Sequence, residues 1–320
     1  MSDTSSRLKN FPISWFAMIM GMAGFTIAWS RAEHILGLGF ALSPVLLPIT
    51  AALFALLATT YLAKIAKYPQ EVLGEINHPV KVAFAPTISI ALILLSIAFL
   101  PDAPELSFGL WAVGSVLHLV ATLYVMSSWI HHTKYEIAHL NPAWFIPVVG
   151  NILVPIAGVH HASPEISWFF YSVGIFFWPV LTSIIFYRLI FHGSLPDRFM
   201  PTLFIFIAPA AVGFISYYNL IGGLDVFGRI LYGIALFFTL LLFVQAKLFA
   251  RLKFFLSWWA YSFPLAAITI ATLVMAKETG LALYSWLAIA LLAILSAVIA
   301  MLLIRTGLAV ARREICVEGH

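Results

Sequence analysis

Long apolar segments alternate with short polar connections over almost the whole of this chain. A membrane-spanning helix needs about 20 consecutive, mostly apolar residues, and ten stretches meet that requirement. We expect spans at roughly 14–31, 42–66, 80–100, 107–130, 142–161, 165–190, 201–220, 225–249, 256–276 and 281–305. The pattern predicts an all-α polytopic membrane protein with short loops, in which the polar stretch 67–79 has room for a short surface helix.

The ten predicted helices form five consecutive hairpins, whose first helices begin near 14, 80, 142, 201 and 256. Repeats of this kind favour quasi-symmetry about the membrane normal, because every odd-numbered helix runs in the same direction. Four prolines recur in the odd-numbered helices at intervals of 61, 62 and 55 residues: Pro86, Pro147, Pro209 and Pro264. Glycines accompany them in the same helices at Gly21, Gly24, Gly150 and Gly213.

These helix breakers indicate which layer each helix occupies. Proline inside a helix removes a backbone hydrogen bond, at a cost of about 3 kcal/mol. Irregular backbone in a membrane is tolerated only where it is buried in protein or lines a cavity. We therefore expect the odd-numbered helices inside, with the eight residues just named lining a pore or kinking its helices, and the even-numbered helices outside. Proline and glycine are frequent in membrane helices generally, but that tendency does not explain the even spacing. Gly24, 62 residues before Pro86, is the expected first member of the proline series.

The composition supports a single membrane domain. Hydrophobic residues make up 62% of the chain and charged residues only 9%, whereas a soluble domain carries roughly 25% charged residues. We expect one transmembrane domain over residues 1–320, embedded from about 11 to 306, with cytoplasmic tails at 1–10 and 307–320. Cys316 is the only cysteine, which excludes an intramolecular disulfide and a cysteine metal cluster.

The cationic residues predict the orientation in the membrane. Fourteen of the 17 Lys and Arg residues fall at one end of the predicted bundle, and the other end has only Arg31, Arg229 and Lys277. The positive-inside rule then places both termini in the cytoplasm. This topology accounts for the net charge of +4, which does not suggest binding to nucleic acid.

The middle of the predicted bundle lacks fixed charge. All 13 acidic residues lie near helix ends or in loops and tails, and no Lys or Arg is mid-span. Proton relays and cation carriers usually place ionisable groups within the membrane. A path without acidic groups, edged by Lys and Arg on the cytoplasmic side, therefore favours an anion. Helix breaks also free backbone N–H groups, which supply a weak positive potential.

The histidines do not predict a cofactor site. His131 and His132 end the fourth helix, while His160 and His161 end the fifth at the opposite membrane face. His118 alone is mid-span, and we expect it to hydrogen-bond to a neighbouring helix. The sequence has no nucleotide-binding glycine loop, no HExxH motif and no paired intramembrane carboxylates. We therefore expect no metal, no cofactor and no enzymatic activity.

The ninth helix contains a candidate gate. Phe263 stands immediately before Pro264, and a large aromatic side chain in that position can project towards the axis and block a narrow apolar pore. The alternative is that Phe263 packs between helices, as most of the 27 phenylalanines must. The residues alone leave both interpretations open.

Several motifs resemble those of one family of transporters. The stretch from Trp258 to Pro264 (WWAYSFP) is similar to the ninth-helix motif of the tellurite-resistance and C4-dicarboxylate transporter family. That family contains bacterial TehA-like proteins, fungal malate permeases, sulfite exporters and plant slow-type anion channels. The resemblance runs from about residue 11 to 306, and its further matches are PISWFAMIMGMAGFTIAW from Pro12, HPVK from His78, NPAWFIP from Asn141, PVL from Pro179 and APA from Ala208.

The resemblance implies a homotrimer in which each protomer has its own pore, made of five inner and five outer helices. It also implies anion permeation, with a pore phenylalanine at the position of Phe263 acting as a gate. We therefore expect an anion channel or channel-like anion exporter with a weakly selective pore. A proton-coupled or facilitative carrier of C4-dicarboxylate, sulfite or tellurite-type oxyanions is the alternative, and a scaffold without transport is a third interpretation. The sequence does not choose among these anions, because no fixed charge marks a selectivity site.

Overall fold

The computed structural model describes residues 7–316. Within that range, ten helices are long and apolar enough to cross a membrane, as predicted. We number them span 1 to span 10 in chain order: Ile13–Leu36, Ser43–Lys67, Lys81–Phe99, Pro104–His131, Pro142–His161, Pro164–Phe191, Asp197–Ile221, Val226–Val244, Leu256–Thr279 and Ala282–Ala311. A short helix, Pro69–Asn77, occupies the polar stretch after span 2, and we call it the surface helix. Asp3, Glu318 and the ends of both predicted tails lie outside the described residues.

Each odd-numbered span begins as a 3-10 helix and continues as an α-helix. The α-helical parts begin, in order, at Phe16, Thr87, Phe145, Ile207 and Ser262. Span 5 returns to 3-10 geometry over Gly150–Leu153 and ends in a second α-helix, Val154–His161. The even-numbered spans are α-helical from their first residue. The two classes of span therefore differ in backbone geometry as well as in sequence.

The recurrent prolines lie at these junctions. Pro147, Pro209 and Pro264 are each the third residue of an α-helical part, and Pro86 directly precedes one. Proline is tolerated in the first turn of an α-helix, because its missing N–H would have no partner within the helix there. The prolines thus mark where an α-helix starts within each span. The third α-helical residue of span 1 is Met18, so Gly24 lies further along its helix than the prolines do.

The ten spans form two layers. In the most apolar 18-residue stretch of each odd-numbered span, between 72% and 89% of the residues are buried within the protein. The corresponding share in the even-numbered spans is 17–39%. The exposed residues of the outer layer include many large apolar side chains, such as Val120 and Phe176. Such a surface suits lipid rather than water. The odd-numbered spans therefore form the inner layer.

The inner layer closes into a ring. Span 1 packs against span 3, span 3 against span 5, span 5 against span 7, span 7 against span 9, and span 9 against span 1 again. Each outer span packs against the inner span that precedes it in the chain. The ring has the arrangement expected of five consecutive hairpins, and the structural equivalence of those hairpins stays a prediction.

Candidate functional site

An apolar cavity of about 70 Å3 lies at the centre of the ring. All five inner spans contribute to its wall, and no charged side chain lines it. Its lining residues are Ala17, Met20, Phe84, Ile90, Phe145, Ile146, Val149, Gly150, Leu153, Ile205, Ala208, Pro209, Val212, Trp259, Ala260, Phe263 and Pro264. We call this space the cavity. Its volume leaves little room for an ion that keeps its water shell.

Four of the nine residues predicted for the pore line the cavity: Gly150, Pro209, Phe263 and Pro264. They come from spans 5, 7 and 9, at the junctions between 3-10 and α-helical geometry. The other five are not among the lining residues: Gly21, Gly24, Pro86, Pro147 and Gly213. The structure therefore brings together the proposed gate and the prolines of two spans, and it places the remaining helix breakers behind the wall.

Gly21 and Gly24 serve the contact between spans 1 and 9. A side-chain carbon added at Gly21 would collide with Ser262, and one added at Gly24 would lie 2.9 Å from the β-carbon of Ala266. Both glycines thus allow close approach of the helix that carries Phe263. Gly213 faces the opposite way, because a carbon added there would lie 3.8 Å from Ile175 and 3.9 Å from Leu231, which belong to outer spans 6 and 8.

Gly150 brings a buried histidine close to the cavity wall. A carbon added at Gly150 would lie 2.7 Å from Nε2 of His118, which is fully buried in span 4. Nδ1 of His118 lies 2.9 Å from the hydroxyl of Ser89 in span 3, which confirms the expected bond to a neighbouring helix. The Ser89 hydroxyl donates its proton to the carbonyl of Pro86 at 2.8 Å. His118 must therefore donate from Nδ1, which leaves Nε2 as an acceptor without a partner among the described residues.

Side chains of span 4 also fix the break in span 5. Thr122 donates a hydrogen bond of 2.6 Å to the carbonyl of Pro147. The side-chain amide of Asn151 donates to the Thr122 hydroxyl at 2.9 Å and to the carbonyl of Val148 at 2.8 Å. Thr122 and Asn151 are both buried. Because breaking such bonds would leave buried polar groups unpaired, this cluster stabilises the shape of the wall around Gly150.

A larger space opens from the cavity towards the end of the molecule where residues 10 and 316 lie. It has a volume of about 610 Å3 and is lined by residues within the segments 10–17, 75–84, 198–202, 253–260 and 309–316. We call it the vestibule. Ala17, Phe84 and Ala260 line both the vestibule and the cavity, so the two spaces adjoin.

Charge is concentrated in the vestibule. The cationic side chains along it are those of Lys81, Arg198 and Lys253, and the acidic ones are Glu75 and Glu314. The sequence predicts Lys and Arg at this end of the path, but it does not reveal which of them face a common space. The five lining segments are far apart in the chain, and only the folded ring brings them together. Within residues 7–316, no three His, Cys, Asp or Glu side chains form a group that could hold a metal ion.

Comparison with known proteins identifies one family over nearly the whole chain. The SLAC1 family, described as voltage-dependent anion channels, matches residues 10–307. An uncharacterised transporter of Methanocaldococcus jannaschii is 27% identical over 299 residues, covering 86% of this chain and 87% of that protein. The S-type anion channel SLAH3 of Arabidopsis thaliana is 29% identical over 93% of this chain, which spans 48% of SLAH3. A tellurite resistance protein TehA homologue of Haemophilus influenzae is 27% identical over 83% of this chain and 82% of its own length.

Proposed function

This chain belongs to the SLAC1 family of voltage-dependent anion channels, and on that basis we propose that it conducts small anions through the cavity at the centre of each protomer. The observation that carries the proposal is the continuity of the apolar cavity with a vestibule bearing three cationic side chains. A cationic entrance concentrates anions and repels cations. The cavity beyond it offers no strong binding site that would trap the ion.

The proposed gate is the side chain of Phe263. It lines the cavity one residue before Pro264, at the start of the α-helical part of span 9. An apolar constriction stops ion flow by excluding water, and a ring that blocks it must move before an ion passes. Weak selectivity follows from the same geometry, because no charged group along the cavity distinguishes one anion from another.

We propose that both termini and the vestibule face the cytoplasm of a bacterial inner (plasma) membrane. The proposal is supported by the distribution of cations, because 14 of the 17 Lys and Arg residues lie at the end that the positive-inside rule assigns to the cytoplasm. Modification of single introduced cysteines with a membrane-impermeant reagent tests this orientation. Labelling of position 9 from the outside of intact cells would contradict it.

The proposed assembly is a homotrimer in which each single-domain protomer keeps its own pore. The support is the family resemblance together with the closed inner ring, which needs no second copy to complete its cavity. Native mass spectrometry of the purified protein measures the stoichiometry. A stable monomer in lipid nanodiscs that conducts anions would remove the trimer from the proposal.

Reconstitution into planar bilayers tests the function directly. Chloride, nitrate, sulfite, malate and tellurite are presented in turn, and protein-free bilayers serve as the control. Resolved unitary currents that reverse near the anion equilibrium potential are the expected result. A saturable, proton-dependent flux without unitary currents would favour a secondary transporter. No flux of any of these anions in proteoliposomes would favour a scaffold.

A further inference from the structure

One carboxylate on the vestibule wall is paired with a buried lysine. Oε1 of Glu75, on the surface helix, lies 3.0 Å from Nζ of Lys64 near the end of span 2. The side chains are only 9% and 2% exposed, respectively. Oε2 of Glu75 accepts a hydrogen bond of 2.9 Å from the hydroxyl of Tyr61. Lys64 also donates to the carbonyl of Phe11, just before span 1, at 2.8 Å. Both charges are therefore held in fixed positions.

The three cations that line the vestibule have no such partner. Lys81, Arg198 and Lys253 are exposed and form no ion pair within residues 7–316. Because Lys64 cancels the charge of Glu75, the remaining acidic side chain on the wall is Glu314. Glu314 is exposed, so water and salt screen it. While Lys64 compensates Glu75, the three cations and Glu314 leave a net charge of +2 on the vestibule wall, and an uncompensated Glu75 lowers it to +1.

His78 lies near the cationic side chains of the vestibule. Its ring lines the vestibule three residues beyond Glu75. Burial lowers the pKa of His78 below its usual value, and the charges of Lys81, His139, Arg198 and Lys134 lower it further. No carboxylate offsets them in that balance. The charged groups that act on His78 are thus cationic, in keeping with the cations on the vestibule wall.

We propose that Lys64 is a specificity-determining residue, which strengthens the preference of the vestibule for anions by neutralising Glu75. The inference rests on the proposed anion conduction and names a residue that sets how strongly the vestibule favours anions over cations. Lys64 itself does not line the vestibule. It acts through Glu75, whose carboxylate would otherwise add a fixed negative charge to the wall that also carries Lys81 and Arg198.

The test compares two ways of breaking the same ion pair. Lys64→Met removes the cation and leaves a negative charge on the wall, while Glu75→Gln removes the anion and leaves an additional positive charge behind it. If the pair only holds the surface helix in place, both variants have the same effect. If it sets the charge of the vestibule, their effects on anion current are opposite. The exposed pair between Lys9 and Glu71, at 3.3 Å, provides Lys9→Met as the matched control.

Anion conductance is recorded at pH 8 in 10 mM and 1 M salt, with the anion-to-cation permeability ratio taken from reversal potentials. At 10 mM salt we expect Lys64→Met to lose about threefold or more of both quantities, because the screening length there is about 30 Å. In 1 M salt, where screening acts over about 3 Å, the difference from the wild type should disappear. Glu75→Gln and Lys9→Met should retain wild-type or higher values, and the double variant Lys64→Met with Glu75→Gln should recover them.

Three results would overturn the inference. The first is an anion conductance at low salt that is the same for Lys64→Met and Lys9→Met. The second is a loss of anion current in Glu75→Gln as large as that in Lys64→Met. The third is a double variant whose anion conductance stays as low as that of Lys64→Met. If Lys64→Met does not reach the membrane, Glu75→Gln alone distinguishes the two roles of the ion pair. A pair that only holds the surface helix in place predicts a loss of anion current in Glu75→Gln, whereas the proposed role predicts no loss. Absence of anion current in the wild type would instead contradict the proposed function, so the two failures are distinguishable.

Discussion

The ring of Phe263 lies beside Gly24, at the place where a side chain on Gly24 would begin. A side-chain carbon added at Gly24 would lie 3.3 Å from Cδ2 of Phe263 and 2.9 Å from the β-carbon of Ala266. Phe263 lines the cavity and Gly24 does not. The missing side chain of Gly24 therefore allows the close packing of span 1 against the ring of the proposed gate.

Removal of the ring should open the pore. We expect Phe263→Ala to raise anion conductance about tenfold, which corresponds to a barrier lower by about 1.4 kcal/mol. Single-channel or liposome-flux measurements report the change. Phe25→Ala is the matched control, because Phe25 is a buried residue of an inner span that does not line the cavity. Unchanged current in Phe263→Ala with normal expression would remove Phe263 from the gating role.

A methyl group behind the gate should have the opposite effect. Gly24→Ala crowds Phe263 and Ala266, and we expect the ring to shift towards the cavity and lower anion conductance severalfold. In a Phe263→Ala background the same substitution should leave conductance nearly unchanged, because the ring it displaces is absent. Conductance of the two single variants and the double variant gives the coupling. Equal effects of Gly24→Ala in both backgrounds would contradict a contact between this glycine and the gate.

The packing around Gly150 predicts a loss of stability. Gly150→Ala places a carbon 2.6 Å from Cε1 of His118 and 2.8 Å from Cδ1 of Ile90. Overpacking of this kind destabilises by about 1–3 kcal/mol, so the midpoint of thermal unfolding in detergent should fall. Gly233→Ala in span 8 is the control, because no atom lies within 4 Å of a carbon added there. Equal unfolding midpoints for the two variants would contradict the predicted overpacking at Gly150, because His118 and Ile90 would then make room for the added carbon at no cost in stability.

The environment of His78 predicts a dependence on pH. Burial and the charges of Lys81, His139, Arg198 and Lys134 lower its pKa, so the ring stays neutral at neutral pH and gains a proton only below the usual range near 6.5. That proton adds positive charge to the vestibule, and anion conductance should rise as the pH falls from about 6 towards 4. The same shift destabilises the folded protein over this range, since the unfolded chain binds the proton more readily.

The substitution His78→Gln isolates this titration. It removes the ionisable group while retaining a polar side chain of moderate size, so conductance at pH 7 should match the wild type. The rise at acid pH should be lost or greatly reduced. A His78→Gln protein whose pH profile overlays that of the wild type would assign the rise to another group.

Sequence reasoning identifies the helices of this protein better than the faces they present. Apolar length is sufficient to locate the ten spans, and the recurrent prolines mark four of the five that are most buried. The direction in which a residue points is harder to infer, because lipid accepts the same apolar side chains as the protein interior does. Gly213 illustrates the difficulty: it shares its span with Pro209, yet it faces spans 6 and 8 and not the cavity.

Which charged residues line the vestibule could not be predicted from the sequence, for a different reason. Its charged side chains are contributed by segments separated by up to several spans, and no local pattern links Lys81 with Arg198 or Lys253. The pairing of Lys64 with Glu75 has the same character, since the two residues lie on different helices on either side of Pro69. In the sequence these residues belong to separate loops and helix ends. Only the folded ring places them around one space.

The contact between spans 1 and 9 has a consequence for biosynthesis. A chain emerges from the ribosome N-terminus first, so span 1 enters the membrane long before the helix that closes the ring beside it. Until then Gly21 and Gly24 have no neighbour from span 9, and the site of Phe263 does not exist. A polypeptide truncated before Leu256 would lack span 9, which closes the ring between spans 7 and 1. Formation of the cavity is therefore among the last events in the folding of the chain.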